Sequence, residues 1–338
     1  SGSIFGFTRQ NSFWENVPGL NRFRDVSFSI SESNTSLLPR FIALNSAWKG
    51  FIERPLVGWG WDNFNIVYNK YYDPRALELS YQETRFDKPH NFIAEDLVSG
   101  GILLLLARIM LFAGFIYEAL KTKSLFGRIV LAALAGFVVR NLFIFDTLGP
   151  MLMFYTLAGL VDGEHKARAP KIVDRTASER FSTPQFWFAG ATFAVVVVTA
   201  YAINIPSMKA SYYEYRAYNS LIRKPTVAKG VGYFDKALAS WSPWRWNFAR
   251  DFAAAVSEAY FYNPGVIKKE DAARAIGEME RVAEEHSLDA YNHYALLDMY
   301  NQTSDIDPEK FLAAAEREAK IALDLSPDRQ EIYFSLAK

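Results

Sequence analysis

Apolar and polar positions divide this chain into three stretches. Residues 1–96 and 207–338 mix the two kinds, while 97–206 is strongly apolar. In the first stretch Phe41, Leu44, Trp48, Phe51 and Ile52 recur at helical spacing, which predicts a helix of about fifteen residues. Pro55 ends it. Residues 62–72 read as helix again, and 73–88 as loop or short helix. Four apolar runs follow, at 97–120, 129–145, 149–161 and 186–205. A hydrocarbon core of ~30 Å needs about 20 helical residues. The first and last runs meet that length. The second is workable with Leu125 and Phe126. The third is short even with tilt, and counts as a span because the charge pattern requires a crossing there.

After Pro206 the pattern becomes helix–loop–helix. Leu296, Leu297 and Tyr300 fit the first helix of a tetratricopeptide-like repeat, Ala315, Ala319 and Ala322 its second, and Pro327 its terminator. Tyr333, Leu336 and Ala337 restart the pattern, and Thr303–Glu309 holds about six extra residues between the helices. Phe234 and Ala237 before Pro243 give a weaker copy. Such repeats stack into surfaces that bind rather than catalyse. The expected fold is all-α: a loop at 1–96, a polytopic membrane region of about four spans at 97–206, and a helical-repeat domain at 207–338. Residues 1–7 read as the tail of an earlier span, and the helical pattern runs up to Lys338. The chain is therefore expected to be a piece of a longer protein.

Charge orients this plan. Lys121, Lys123 and Arg128 flank the first connection, and Lys166, Arg168, Lys171, Arg175 and Arg180 fill the third. The second connection, Asp146-Thr147-Leu148-Gly149-Pro150, has no basic residue. The positive-inside rule then puts 121–128 and 163–184 in the cytoplasm and both mixed stretches outside. Trp and Tyr cluster at the edges of the apolar runs, as bilayer interfaces favour. The formal net charge is zero, which gives no reason to expect nucleic acid as a partner. The chain has no cysteine, which excludes disulfide and thiolate chemistry and is compatible with an exported compartment.

Two dense motifs precede the first apolar run. Glu53-Arg54-Pro55 leads to Gly58-Trp59-Gly60-Trp61, and Phe86-Asp87-Lys88-Pro89-His90-Asn91 follows about thirty residues later. Arg40 opens the first helix, and Gly100-Gly101 lies inside the apolar run. In this order and spacing, residues 1–160 resemble the O-antigen ligase family, which also holds O-antigen polymerases and protein O-oligosaccharyltransferases. The resemblance implies a multi-pass bacterial cytoplasmic-membrane enzyme with a large periplasmic loop. It implies inverting transfer of a glycan from undecaprenyl diphosphate to a hydroxyl of a glycolipid, glycan or protein, without a metal or cofactor. It also implies a second functional arginine outside this chain. The repeat-bearing tail is not part of the family's core pattern and points to a further protein partner.

The residues suit that chemistry. A diphosphate leaving group needs a cation for its growing charge, and arginine offers paired donors to phosphate oxygens. The incoming hydroxyl loses a proton, and a histidine, whose ordinary pKa lies near ~6.5, can take it. His90 is the candidate base and Arg40 the candidate diphosphate ligand. At a helix N-terminal turn a cation is misplaced for the dipole, which favours anion binding by Arg40. Arg85, Lys88, Asn91, Arg54, Trp59 and Trp61 are candidate substrate contacts.

Each has a plainer reading. His90 can cap the span, Arg54 can end a helix, and Arg85 and Lys88 can meet phospholipid head groups. Trp48, Trp59 and Trp61 can be loop core or interfacial anchors. Asp305-Ile306-Asp307 sits in a repeat loop and carries no chemical expectation. Arg140 is expected to pair with Asp146. Arg108, inside an apolar run, either supports the lipid diphosphate or pairs with an acidic group outside this chain. Two other readings stay open: a polysaccharide polymerase, and a non-catalytic membrane-anchored repeat scaffold.

Overall fold

The computed structural model describes residues 38–79, 84–168, 183–222, 227–262 and 265–337. The expected span tail at 1–7 and the basic positions Lys171, Arg175 and Arg180 lie outside them. The described residues form thirteen helices and no strand, as the all-α expectation has it.

Helix α1, Leu38–Glu53, stops just short of Pro55. Its packed face is not the bulky stripe that reveals it in the sequence. Pro39, Ile42, Ala43, Ser46, Ala47 and Gly50 are buried, while Phe41, Trp48 and Ile52 stand exposed. The reason is distance. A methyl group on Gly50 would lie 2.3 Å from the Val67 side chain, so only small residues fit that contact. Helices α2, Phe64–Lys70, and α3, Arg75–Leu79, close a small core with Ile42, Phe64, Val67, Tyr68 and Phe86.

Helix α4, Phe92–Lys121, starts at an Asn91 cap and is broken at Gly101, whose φ is 66° and ψ −162°. Helices α5, Leu125–Asn141, and α6, Leu148–Arg168, pack on α4 around Phe115, Val130, Leu134, Phe154 and Val161. The Ser124 hydroxyl caps α5 by accepting the Gly127 N–H at 2.8 Å. Helix α7, Thr183–Ile222, runs for 40 residues. Two stretches, Phe92–Lys121 and Phe186–Leu221, are long and apolar enough to cross a membrane. None of the most apolar window of the second is covered by the protein itself.

The expected boundary at residues 206 and 207 falls inside α7, because Pro206 does not end that helix. Proline removes one backbone hydrogen bond, and polar side chains can satisfy groups nearby. Here Ser207 Oγ donates to the Ile203 carbonyl at 2.7 Å and Asn204 Nδ2 to the Ala200 carbonyl at 2.7 Å. The apolar half of α7 and the half packed on the C-terminal helices are thus one rod.

Arg108 and Asp146 are also placed differently from expectation. Arg108 holds Asp96 in a two-pronged pair through Nε and Nη2, and its Nη1 reaches Asp146 at 2.8 Å. Asn141 Nδ2 donates to the other Asp146 oxygen at 2.6 Å. Arg140 instead contacts Asn141 and Thr147. The acidic partners of Arg108 therefore lie within this chain. In a straight helix residues twelve apart sit about 18 Å from one another at 1.5 Å per residue, further than these two side chains span. The break at Gly101 brings them together.

The remaining helices are α8, Val227–Ala239, α9, Arg245–Tyr262, α10, Lys269–Glu285, α11, Ala290–Gln302, α12, Pro308–Leu325, and α13, Gln330–Leu336. They share one core with the end of α7, from Ala217 and Leu221 to Ile332. Leu296, Leu297, Tyr300, Ala315, Ala319 and Ala322 are all buried in it, as is Phe234, and Ala237 is buried as well. Tyr333 and Leu336, read as a restart of the pattern, are exposed. Asp289 caps α11 by accepting the Tyr291 N–H at 3.1 Å.

A buried polar junction ties this unit to the loop core. Asn69 of α2 donates to Asp289 Oδ1 at 2.9 Å, and Asn65 donates to Asp289 Oδ2 at 2.8 Å. Arg329 donates to Asn69 Oδ1 and to the Thr84 carbonyl, each at 2.8 Å. The Ser326 hydroxyl donates to the Asn69 carbonyl at 2.7 Å. Arg329 is 1% exposed, and its guanidinium lies 4.3 Å from the Tyr72 ring centre. Its Nη1 also bonds Glu331, itself buried. Arg329→Ala would take the arginine bond from the buried Glu331 carboxylate, Asn69 Oδ1 and the Thr84 carbonyl, so we expect a loss of about 3–5 kcal/mol. Thermal unfolding of the solubilised protein reads it; an unchanged midpoint would remove the junction's importance.

Candidate functional site

The two glycine motifs turn out to be halves of one contact. The break at Gly101 frees carbonyls that a continuous helix would use. Val98 O accepts the Trp59 N–H at 2.8 Å and Ser99 O accepts the Gly60 N–H at 2.9 Å. In return the Ile102 N–H donates to the Pro55 carbonyl at 2.8 Å. The backbones approach so closely that side chains do not fit. A Cβ on Gly58, which has φ +64°, would stand 2.5 Å from Val98 O, and one on Gly101 would stand 2.4 Å from the Leu56 backbone. Glycine is required on both sides for space and for the left-handed backbone.

Around this contact the loop side chains are tied down. Trp59 Nε1 donates to the Gly50 carbonyl at 2.9 Å, and its ring packs against the loop core. The Arg54 guanidinium lies over that ring at 4.0 Å. Glu53 accepts from Lys70 at 2.7 Å and from the Tyr71 hydroxyl at 2.5 Å. These bonds, Lys70's first, hold the Glu53 carboxyl below the usual range. Trp59 and Arg54 thus act as anchors of the loop, whereas Trp61 is 57% exposed and stays open to solvent. Trp48 is also exposed, beside Phe51.

His90 sits at the start of the kinked helix with φ 55°, a conformation uncommon outside glycine. Its ring is edge-on to Phe86 at 5.5 Å and to Phe145 at 5.2 Å. Nδ1 lies 3.1 Å from the Lys88 carbonyl. A carbonyl only accepts, so Nδ1 carries the proton and Nε2 of the neutral ring keeps its lone pair. Among the described residues nothing bonds Nε2. The imidazole is therefore fixed in orientation with a base-competent nitrogen left over.

Lys88 is spoken for. It pairs with Asp62 at 2.6 Å and with Glu95 at 3.5 Å. Burial works against its charge, but Asp62 and Glu95 outweigh that and hold its pKa above the ordinary lysine value. Asn91 is the α4 cap: Oδ1 accepts the Ile93 and Ala94 N–H groups, and Nδ2 donates to the Leu142 carbonyl at 2.9 Å. Arg85 reaches away from His90 and stacks on Tyr291 of α11 at 4.3 Å. Arg40 is exposed in the first turn of α1, where no described residue pairs with it. Its helix and the His90 loop meet through one core, where Ile42 and Phe86 both lie.

Sequence reasoning missed buried Asp96 and half-buried Asp146 as the carboxylates that clamp Arg108. The available signal was an arginine in an apolar run with acidic residues at both ends of the spans. It also missed Asp62 and Glu95 around Lys88, since nothing local announces a partner twenty-six residues away. No protein-family model, curated protein or solved structure matches this chain.

Gly58→Ala and Gly101→Ala test the contact. Each adds strain of about 1–2 kcal/mol for the left-handed backbone and about 1–3 kcal/mol for overpacking. Both variants are expected to lower the thermal midpoint and expose the 54–61 loop to protease. Gly114→Ala, where the added methyl meets nothing within 4 Å, should do neither.

Proposed function

We propose that this chain belongs to a membrane glycosyltransferase that moves a glycan from an undecaprenyl-diphosphate-linked donor to an acceptor hydroxyl, in the manner of the O-antigen ligase family it resembles. The observation that carries the reading is His90. A ring oriented by a backbone carbonyl, with Nε2 unbonded among the described residues at the head of a long apolar helix, is what a general base at a bilayer surface needs. Arg40 supplies an exposed cation on a helix packed into the same core. The diphosphate is a good leaving group, so the chemistry asks for charge uptake and proton removal rather than a nucleophilic side chain.

In this reading α4, α5, α6 and α7 provide four crossings, and the helical pairs after α7 are tetratricopeptide-like repeats on the same outer side as His90. The part-buried Arg108–Asp96–Asp146 cluster fits a charge kept within the bundle. It takes Arg108 out of the candidate diphosphate ligands.

Two experiments test this. In a transfer assay with a lipid-diphosphate glycan, His90→Ala is expected to lose about 10²–10⁴-fold in rate at normal protein level. Arg40→Lys should fail nearly as badly as Arg40→Ala, because lysine lacks the paired donors. Near-normal product from His90→Ala would reduce it to the structural role its Lys88 bond also permits.

Sidedness is read by cysteine labelling, since the chain has no native cysteine. Cysteines replacing the exposed Lys121 and Lys320 should react with an impermeant reagent from opposite faces. Labelling of both from outside would overturn the four-crossing count.

A further inference from the structure

A cleft of about 870 Å³ lies away from His90. It lies between the loop around Asp62–Ile66 and Arg85, on one side, and α9 to α11 on the other. Its size falls in the range of small-molecule sites, about 300–1,000 Å³. The junction of Asn65, Asn69 and Asp289 forms its edge, so its two walls are held in register.

Three features of the walls point to one kind of ligand. The first is a pair of arginines without full counterions. Arg85 and Arg250 share the Tyr291 ring, at 4.3 and 5.8 Å from its centre. No described carboxylate pairs with Arg85; Arg250 has Asp251 at 3.7 Å, the Asn247 amide oxygen at 2.9 Å and longer-range attraction to Glu214 and Asp289. Burial, and then the charge of Arg85, pull the Arg250 pKa down from its ordinary value. Two like charges crowded in this way are relieved by an anion.

The second feature is aromatic. Trp244 and Trp246 line the cleft, with Trp246 stacked near His286 at 4.7 Å and Arg250 at 5.2 Å. Flat indole faces suit the apolar face of a sugar ring. The third is unmet polarity. Arg250 Nη1 and Asn292 Oδ1, both belonging to lining residues, are buried with no hydrogen-bond partner among the described residues. One is a donor and the other an acceptor, so an oxyanion alone does not satisfy both. Of the lining carboxylates, Asp62 is taken by Lys88, and Asp289 by Asn65 and Asn69. Asp87 and Glu285 stand exposed and can accept from hydroxyls.

We infer that this cleft binds a sugar bearing an anionic substituent, with the Arg85–Arg250 pair taking the anion and Trp244 and Trp246 the ring. Carboxylate and phosphate substituents share this chemistry. The test is calorimetric titration of the full chain in detergent with four probes: a galacturonic acid trimer, glucose 6-phosphate, maltotriose and inorganic phosphate. One of the two anionic sugars should bind at least tenfold more tightly than both maltotriose and phosphate, and which one identifies the substituent. Arg85→Gln, at an exposed position, should keep the thermal midpoint and lose at least tenfold in affinity; Trp246→Phe should weaken the anionic sugar without restoring maltotriose binding.

Equal binding of maltotriose, or of inorganic phosphate alone, overturns the inference, as does unchanged affinity in folded Arg85→Gln or no binding of either anionic sugar. The readout is binding rather than transfer, so this inference and the His90 reading fail separately.

Discussion

A single irregular residue organises the front of this protein. At Gly101 helix α4 leaves helical geometry, and the carbonyls it frees become acceptors for the loop at Trp59 and Gly60. The exchange is mutual, because Pro55 accepts from Ile102. Backbone polar groups need partners wherever water is scarce, and here loop and helix satisfy each other. The same break brings Arg108 within reach of Asp96, and Nη1 of that arginine also holds Asp146 from the next hairpin. Gly101 thus links the loop, the kinked helix and the arginine cluster, while the loop and the bundle each keep an apolar core of their own.

The second constraint works at the other end of the loop core. Asn69 donates to Asp289, accepts from Arg329, and offers its carbonyl to Ser326. These contacts join segments more than two hundred residues apart and leave little slack, since the groups involved are almost fully buried. A polar junction of this kind is demanding rather than strongly stabilising: the desolvation cost is recovered only in one geometry. That property suits a joint between a membrane-proximal loop and a helical unit. It also sets the separation of the walls of the arginine- and tryptophan-lined cleft beside it.

Between these constraints the candidate residues divide by what their atoms are already doing. Asn91, Lys88, Arg54 and Trp59 spend their polar groups on caps, ion pairs and stacking. His90 keeps one nitrogen without a described partner, and Arg40 and Trp61 stay exposed. The division follows from burial and hydrogen-bond geometry. It leaves an imidazole nitrogen, a guanidinium and an indole face open among the candidates, with Arg85 at the cleft.

The sequence by itself determined the helical content, the long apolar stretches and the buried positions of the last helical pair, because each rests on periodicity within one element. Leu296, Tyr300, Ala315 and Ala319 announce their burial by spacing alone. It also showed that the two glycine motifs mattered, without showing that they touch. Which face of α1 packs, which acid meets Arg108, and whether Pro206 ends a helix were decided only in three dimensions. Those outcomes depend on how closely a second element approaches: Gly50 against Val67, Asp146 from a neighbouring hairpin, the C-terminal helices against α7. Local pattern reports what a segment prefers, whereas a contact between Asn69 and Arg329 exists only once the chain has brought together positions 260 apart.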